Sequence, residues 1–235
     1  MLDFRVAAAH TPEPMTVAVK ICGITSTAAI DAAVCAGAAY GGLVFHPKSP
    51  RFVNLDQART LADHMRGRIR IVALIADMDD AAIKALVEAV RPDFLQLHGS
   101  ESARRTAYIR GKFAVPVIKA LPVGEPADLT AAAEYEDAVD ILMFDARPPK
   151  GAERGGGHGQ AFDWKMLSGK SFSKPWLLAG GLTPENVGRA IELSGAKLVD
   201  VSSGVESAPG VKDAARIRDF IIAAKNPASL SKQNA

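Results

Sequence analysis

Residues 69–90 read IRIVALIADMDDAAIKALVEAV. The stretch 69–76 is almost wholly apolar and rich in β-branched side chains. A short acidic turn follows, and 79–90 carries apolar residues at helical spacing with aspartates at its start. A continuous apolar run suits a parallel strand covered on both faces. Acids in a first turn favour a helix N-terminus. The spacing therefore predicts one strand–helix unit, with the strand over 69–76 and the helix over 79–90.

The same unit recurs along the chain. Short apolar strands are predicted at 17–22, 40–45, 69–76, 94–98, 115–121, 140–145, 175–179 and 197–202. Helix-like stretches follow them at 26–36, 55–66, 79–90, 101–111, 127–138, 162–168, 184–194 and 211–224. Asn54 is placed to cap the helix over 55–66. Thr183-Pro184-Glu185 reads as a cap, a proline at the first helical position and an acid. Alternation of this kind with right-handed crossovers gives a closed barrel or a long doubly wound sheet. Eight units favour closure, so the expected fold is α/β, a single (β/α)8 TIM barrel over 17–225. Residues 1–16 and 226–235 are expected to be loose ends, with Met15 a second candidate start.

Composition narrows the class. With 48% hydrophobic and 23% charged residues in 235, the chain can bury a large core, and disorder over most of its length is excluded. A formal charge of +2 without a basic cluster gives no reason to expect nucleic acid or an anionic membrane as partner. Cys22 and Cys35 are too few for a disulfide framework and suit a reducing compartment. No signal-like or membrane-spanning apolar run is present, so a cytoplasmic enzyme is expected.

In a (β/α)8 barrel, function gathers where the strands end. Here those ends carry Lys20-Ile21-Cys22-Gly23, Phe45-His46-Pro47-Lys48-Ser49-Pro50-Arg51, Gln96-Leu97-His98-Gly99, Lys119-Ala120, Phe144-Asp145-Ala146, Ala179-Gly180-Gly181 and Asp200-Val201-Ser202-Ser203-Gly204. The longest loop, 147–161, holds Gly155, Gly156, Gly157 and Gly159. Glycines after the seventh strand beside Ser202, Ser203 and Gly204 after the eighth offer unobstructed backbone N–H groups to a phosphate. On its own, the glycine pair would suit a tight turn equally well.

The other polar residues admit two readings each. Cys22 is either a small buried hydrophobe or a thiol working beside Lys20, which shares its side of the strand and favours a thiolate. Asp145 ends an apolar strand, so it either accepts loop N–H bonds or serves a ligand as general acid. Arg51 is either a surface arginine or a planar fork for a carboxylate. His98 could contact a ligand, carry a proton or sit satisfied in the core. His46, His64 and His158 have no metal-ligand spacing with cysteines or acids, so no metal is expected. Cys35, in an alanine-rich helix, reads as structural.

Taken together, VKICGIT at 19–25, FHPKSPRFV at 45–53, LQLHG at 95–99, FDA at 144–146, GGHGQAFDW at 156–164, AGGLTPENV at 179–187 and VDVSSGVESAPGVKD at 199–213 resemble the phosphoribosylanthranilate isomerase family. The segments span nearly the whole chain in order. The resemblance implies an Amadori rearrangement of N-(5-phosphoribosyl)anthranilate without a cofactor. It implies Cys22 as general base and Asp145 as general acid. Arg51 would meet the anthranilate carboxylate, with Asp200 also facing the substrate; His98, which the resemblance does not assign, is read from its place at a strand end as a substrate contact. Phosphate would be held by Gly156, Gly157, Gly180, Gly181, Ser202, Ser203 and Gly204. Two positions depart from the family pattern: Ala146 stands where a small hydroxyl residue is usual, and His158 where Ser or Thr is common. The implied partner is a small phosphoribosyl substrate, with the chain a monomer or homodimer. Another sugar-phosphate barrel, including one using a Schiff base at Lys119, and a silent phosphate-binding domain are the competing readings.

Overall fold

The computed structural model describes residues 17–147 and 161–227. Eight parallel strands close into a barrel: β1 (Ala18–Cys22), β2 (Tyr40–Val44), β3 (Arg70–Ile75), β4 (Phe94–Leu97), β5 (Val117–Val123), β6 (Ile141–Ala146), β7 (Trp176–Leu178) and β8 (Leu198–Val201). Closure rests on β1, which pairs Cys22 with Gly42 of β2 on one side and Lys20 with Asp200 of β8 on the other. The expected (β/α)8 barrel is the observed fold.

The helices are α1 (Thr27–Ala36), α2 (Leu55–Met65), α3 (Asp80–Val90), α4 (Ala103–Phe113), α5 (Ala132–Tyr135), α6 (Val187–Ser194) and α7 (Ala214–Lys225). Asn54 caps α2 as expected: its side chain accepts from Gln57 N at 2.9 Å, and the Gln57 side chain accepts from Asn54 N at 3.1 Å, a reciprocal pair. Asp79 proves to be the cap of α3, accepting from Ala82 N.

Several expected helices differ, each for a local reason. Ser102, rather than residue 101, opens α4, because the Glu101 carboxylate is committed to Asp77 N, Gly99 N and Lys119. The stretch 162–168 forms only a 3-10 turn, Trp164–Leu167, capped by Asp163 and stopped before Gly169, whose φ is 68°. The stretch 127–138 breaks into α5 flanked by two 3-10 segments, Pro126–Ala131 and Glu136–Ala138. Thr183 does not cap through its side chain: a turn over 184–186 precedes α6, and Asn186 Oδ1 accepts from Thr183 N. Val211–Lys212 is a strand, β10, paired antiparallel with β9 (Glu206–Ala208), and α7 begins only after Asp213, which caps it.

Alternate positions on each strand face opposite ways. Val72, Ile118, Ala120, Ile141, Met143, Leu177 and Ala179 pack together inside the barrel. The opposite rows, including Val19, Ile21, Ile71, Ile75, Val117, Leu142, Phe144 and Val199, form the larger core with helix residues such as Ile30, Leu61, Ile83, Leu86, Ile109, Ile217 and Phe220. That parity decides which polar side chains can reach the barrel mouth.

Candidate active site

Lys20 and Cys22 of β1, Gln96 of β4, Asp145 of β6 and Asp200 of β8 all lie on the inward rows, and His98 and Ser202 continue those rows just past their strands. The fold thus brings the residues of distant segments to one end of the barrel. Gly42, facing β1 across the sheet, leaves room for them: a Cβ there would stand 3.2 Å from Cys22 Sγ and 3.3 Å from Lys20 Nζ.

Lys20 Nζ donates to Asp200 Oδ1 at 2.8 Å, and both side chains are buried. Burial alone would lower the Lys20 ammonium; Asp200 and Cys22 outweigh it, and the group is raised above its ordinary value. Burial pushes the Cys22 thiol up, against the pull of Lys20 and Lys212 toward the thiolate. The charge beside Cys22 that the sequence suggested is therefore present, yet desolvation is the larger effect.

On the opposite side, His98 Nε2 lies 3.2 Å from Asp145 Oδ2. Gln96 Nε2 stands 3.1 Å from His98 Nδ1. The second Asp145 oxygen accepts the N–H of Ala146 at 2.9 Å. The two readings of Asp145, loop acceptor and ligand partner, are thus compatible, because each oxygen has its own neighbour.

Arg51 is buried and has a protein partner of its own. Its planar fork closes on Glu206: Nε donates to Oε1 at 2.7 Å and Nη2 to Oε2 at 2.8 Å. Among the described residues only Nη1 of the guanidinium lacks a partner. Glu206 also accepts from Lys212 Nζ at 2.7 Å. Burial would raise the Glu206 carboxyl, but Arg51 and Lys212 hold it below the ordinary range. Asp200 likewise has a protein partner, Lys20, in addition to any role toward substrate.

Gly180 and Gly181 both adopt left-handed backbone, with φ of 88° and 62°. A side chain at Gly180 would collide with Ala146, so this turn packs against the end of β6. After β8 a 3-10 turn, Ser203–Val205, follows Ser202. A Cβ at Gly204 would sit on the Leu182 carbonyl, so the loops after β7 and β8 touch directly. Ser202 Oγ donates to Cys22 O at 3.1 Å, tying the eighth loop to β1. Gly156, Gly157 and His158 lie outside the described residues.

Lys119, the candidate Schiff-base lysine, faces outward between Val117 and Leu121. Its ammonium donates to Gly99 O at 2.7 Å and Glu101 Oε2 at 2.8 Å. It therefore lies off the inward rows, with its ammonium held by the loop after β4. Sequence reading assigned no role to Gln96, Glu206 or Lys212. Parity could have flagged Gln96, two positions before His98; nothing in the sequence pairs Arg51 with a residue 155 positions away. Among the described residues no group of three or more His, Cys, Asp or Glu side chains could hold a metal ion. Nor is any helix among them long and apolar enough to cross a membrane.

The chain is similar to known proteins along most of its length. The family profile described as N-(5'phosphoribosyl)anthranilate (PRA) isomerase matches residues 19–223. N-(5'-phosphoribosyl)anthranilate isomerase of Paramagnetospirillum magneticum is 52% identical over 211 residues, covering 90% of this chain and 98% of that protein. The enzyme of the same name from Paracoccus denitrificans is 52% identical over 213 residues, covering 91% and 99%. The crystal structure of phosphoribosyl anthranilate isomerase from Thermotoga maritima superposes with a TM-score of 0.79 at 35% identity, covering 89% of this chain and 99% of that one. Another solved phosphoribosyl anthranilate isomerase, in complex with reduced 1-(o-carboxyphenylamino)-1-deoxyribulose 5-phosphate, gives a TM-score of 0.76 at 32% identity, covering 89% and 99%. With a barrel of matching topology and relatives aligned along almost their whole length, the chain belongs to the N-(5'-phosphoribosyl)anthranilate isomerase family.

Proposed function

We infer that the chain isomerises N-(5'-phosphoribosyl)anthranilate to 1-(2-carboxyphenylamino)-1-deoxyribulose 5-phosphate, a step of tryptophan biosynthesis. The observation that carries the reading is the placing of Cys22 and Asp145 on inward rows of β1 and β6, at the same end of the barrel. An Amadori rearrangement needs an acid and a base on different sides of one sugar, and strands β7 and β8 separate these two along the shorter arc.

Asp145 protonates the furanose ring oxygen. The C1–O bond breaks as the anilino nitrogen lone pair moves in, leaving an open-chain iminium. Cys22, as thiolate, takes the proton from C2, and the electron pair of that bond flows to the iminium nitrogen, giving an enolamine. Tautomerisation then yields the ketone. His98, against Asp145, orients the carboxyl group. Arg51 is assigned to the anthranilate carboxylate through its remaining Nη1 edge, with Glu206 fixing the plane of the guanidinium. The turns at Gly180-Gly181 and Ser202-Ser203-Gly204 are assigned to the 5'-phosphate, an arrangement supported by their direct contact. The substrate is thus a small phosphoribosyl compound.

The decay of substrate fluorescence on adding purified chain to phosphoribosylanthranilate tests the reading. Turnover abolished in both Cys22→Ser and Asp145→Asn is expected. A chain that binds the product analogue but does not turn over substrate would instead be a silent binding domain.

A further inference from the structure

Lys212 is the charge this site does not need for the roles above. It arrives on β10, in a hairpin that the barrel itself does not require. Its side chain is fully buried. Its ammonium donates to Glu206 Oε1 at 2.7 Å and Ser202 O at 2.9 Å, and lies 3.4 Å from Ser202 Oγ, whose hydroxyl donates to Cys22 O. The hairpin is pinned: Gly210, at φ 82°, donates to Glu206 Oε2 at 3.2 Å and accepts from Thr25 Oγ1 at 3.0 Å in the loop after β1. Lys212 is therefore fixed relative to the strand that carries Cys22.

The charges around Cys22 can be counted among the described residues. Lys20 on β1 and Asp200 on β8 form one pair. Arg51, from the loop after β2, and Glu206, on β9, form a second, bidentate pair. Lys212 must share the Glu206 carboxylate with Arg51 and has no carboxylate of its own. Gly42 of β2 contributes no side chain. With Cys22 as a thiol, the cluster holds one uncompensated positive charge in a buried place. With Cys22 as a thiolate, it is neutral.

We propose that Lys212 is a positioning residue for the isomerisation, its buried ammonium being the charge that a Cys22 thiolate neutralises. The proposal rests on Cys22 as the general base. Uncompensated buried charge is costly, so the cluster offsets part of what burial costs the thiolate. Lys20 and Lys212 pull the thiol toward the thiolate, but burial, with Asp200, holds it above its ordinary value; burial, with Arg51, likewise holds the Lys212 ammonium below its ordinary value against the pull of Glu206 and Cys22.

The test uses the full chain with Cys35→Ser, leaving one thiol, and follows Cys22 ionisation by ultraviolet thiolate absorbance beside the pH profile of kcat/KM. Lys212→Met makes the thiol state neutral, so the ionisation midpoint should rise by about one pH unit, about tenfold less thiolate at a given pH below it. The rising limb of kcat/KM should move with it. The double variant Lys212→Met/Glu206→Gln restores the single positive surplus through Arg51, and its midpoint should return toward that of the parent. Lys212→Gln, which keeps hydrogen-bonding groups for Glu206 and Ser202, carries the same expectation as the methionine variant should that one fail to fold. A purely structural role predicts kcat/KM falling equally at every pH, an unmoved midpoint and a double variant worse than the single one; that result overturns the proposal. Turnover surviving Cys22→Ser would instead overturn the base assignment, while the midpoint shifts would still report on Lys212.

Discussion

His98 Nε2 stands 3.2 Å from Asp145 Oδ2, with the buried Gln96 amide 3.1 Å behind the ring at Nδ1. With the amide nitrogen donating, Nδ1 accepts and the hydrogen sits on Nε2, so that edge of the ring lies against the carboxyl group and limits its orientations. An orienting contact worth about 1.4–2.7 kcal/mol in the transition state corresponds to about 10- to 10²-fold in rate. Replacing His98 by leucine should therefore lower kcat by about 10- to 10²-fold through misorientation of Asp145, with KM moved less. The defect should stay smaller than that of Asp145→Asn, measured side by side. An equal or larger loss would make His98 itself the acid.

Cys22 is predicted to be the general base. A serine in its place keeps the size but offers a far weaker acid to ionise, and turnover should fall by at least about 10²-fold. Binding of a reduced product analogue, followed by calorimetry, should change little. Near-normal turnover in Cys22→Ser would remove it from the mechanism. In the parent enzyme the thiol is raised by burial, so kcat/KM should climb as pH rises through the alkaline range, where the thiolate fills.

Arg51→Lys tests the guanidinium. Lysine keeps the charge but cannot hold both Glu206 oxygens and still present a further edge. Affinity for substrate and product analogue should fall, while ribose 5-phosphate, which lacks the anthranilate carboxylate, should bind as before. Equal weakening of both ligand classes by titration calorimetry would mean that Arg51 acts through Glu206 and the eighth loop rather than on the carboxylate.

The barrel was legible because parallel strands covered on both faces write themselves as unbroken apolar runs, and because Asn54 and Asp79 mark helix starts with local chemistry. The site was legible as residue types at strand ends, since Cys22, His98 and Asp145 each need only their own strand's parity to be placed. Partnerships were not. Arg51 looked open because Glu206 is 155 residues away, and Lys212 fell in a stretch read as helix until its hairpin placed it. Lys119 was readable in principle, because Ile118 and Ala120 form the inner row of β5 and leave it outside.

That outward Lys119 gives a prediction about stability. Its ammonium and the Glu101 carboxylate are 2.8 Å apart and almost fully buried, and Glu101 also accepts from Asp77 N and Gly99 N. Burial would raise the Glu101 carboxyl, but Lys119 and the backbone N–H groups outweigh it and hold it low. A depressed folded-state value contributes stability above the unfolded one, lost as pH falls through the folded one. Glu101→Gln should cost about 3–5 kcal/mol near neutrality, the range for breaking a buried pair. In urea unfolding the gap to the parent should narrow as pH drops below the ordinary carboxylate range. A gap independent of pH would mean the carboxylate charge is not what stabilises the fold.

The two aspartates of the site are separable because their partners differ. Asp200 holds the buried Lys20 ammonium; Asp145 faces a histidine and a backbone N–H. Asp200→Asn strands a buried charge and should destabilise the chain by about 3–5 kcal/mol, whereas Asp145→Asn keeps shape and should cost far less. Both variants will lose turnover, so activity alone does not assign the acid. An analogue already in the open-chain form bypasses ring-oxygen protonation. If Asp145 supplies that proton, Asp145→Asn should recover much of its rate on the analogue relative to the cyclic substrate. Asp200→Asn should recover none, since its loss comes from displacing Lys20 and the Cys22 environment. Rescue of Asp200→Asn alone would reverse the assignment and make Asp200, rather than Asp145, the group that opens the sugar.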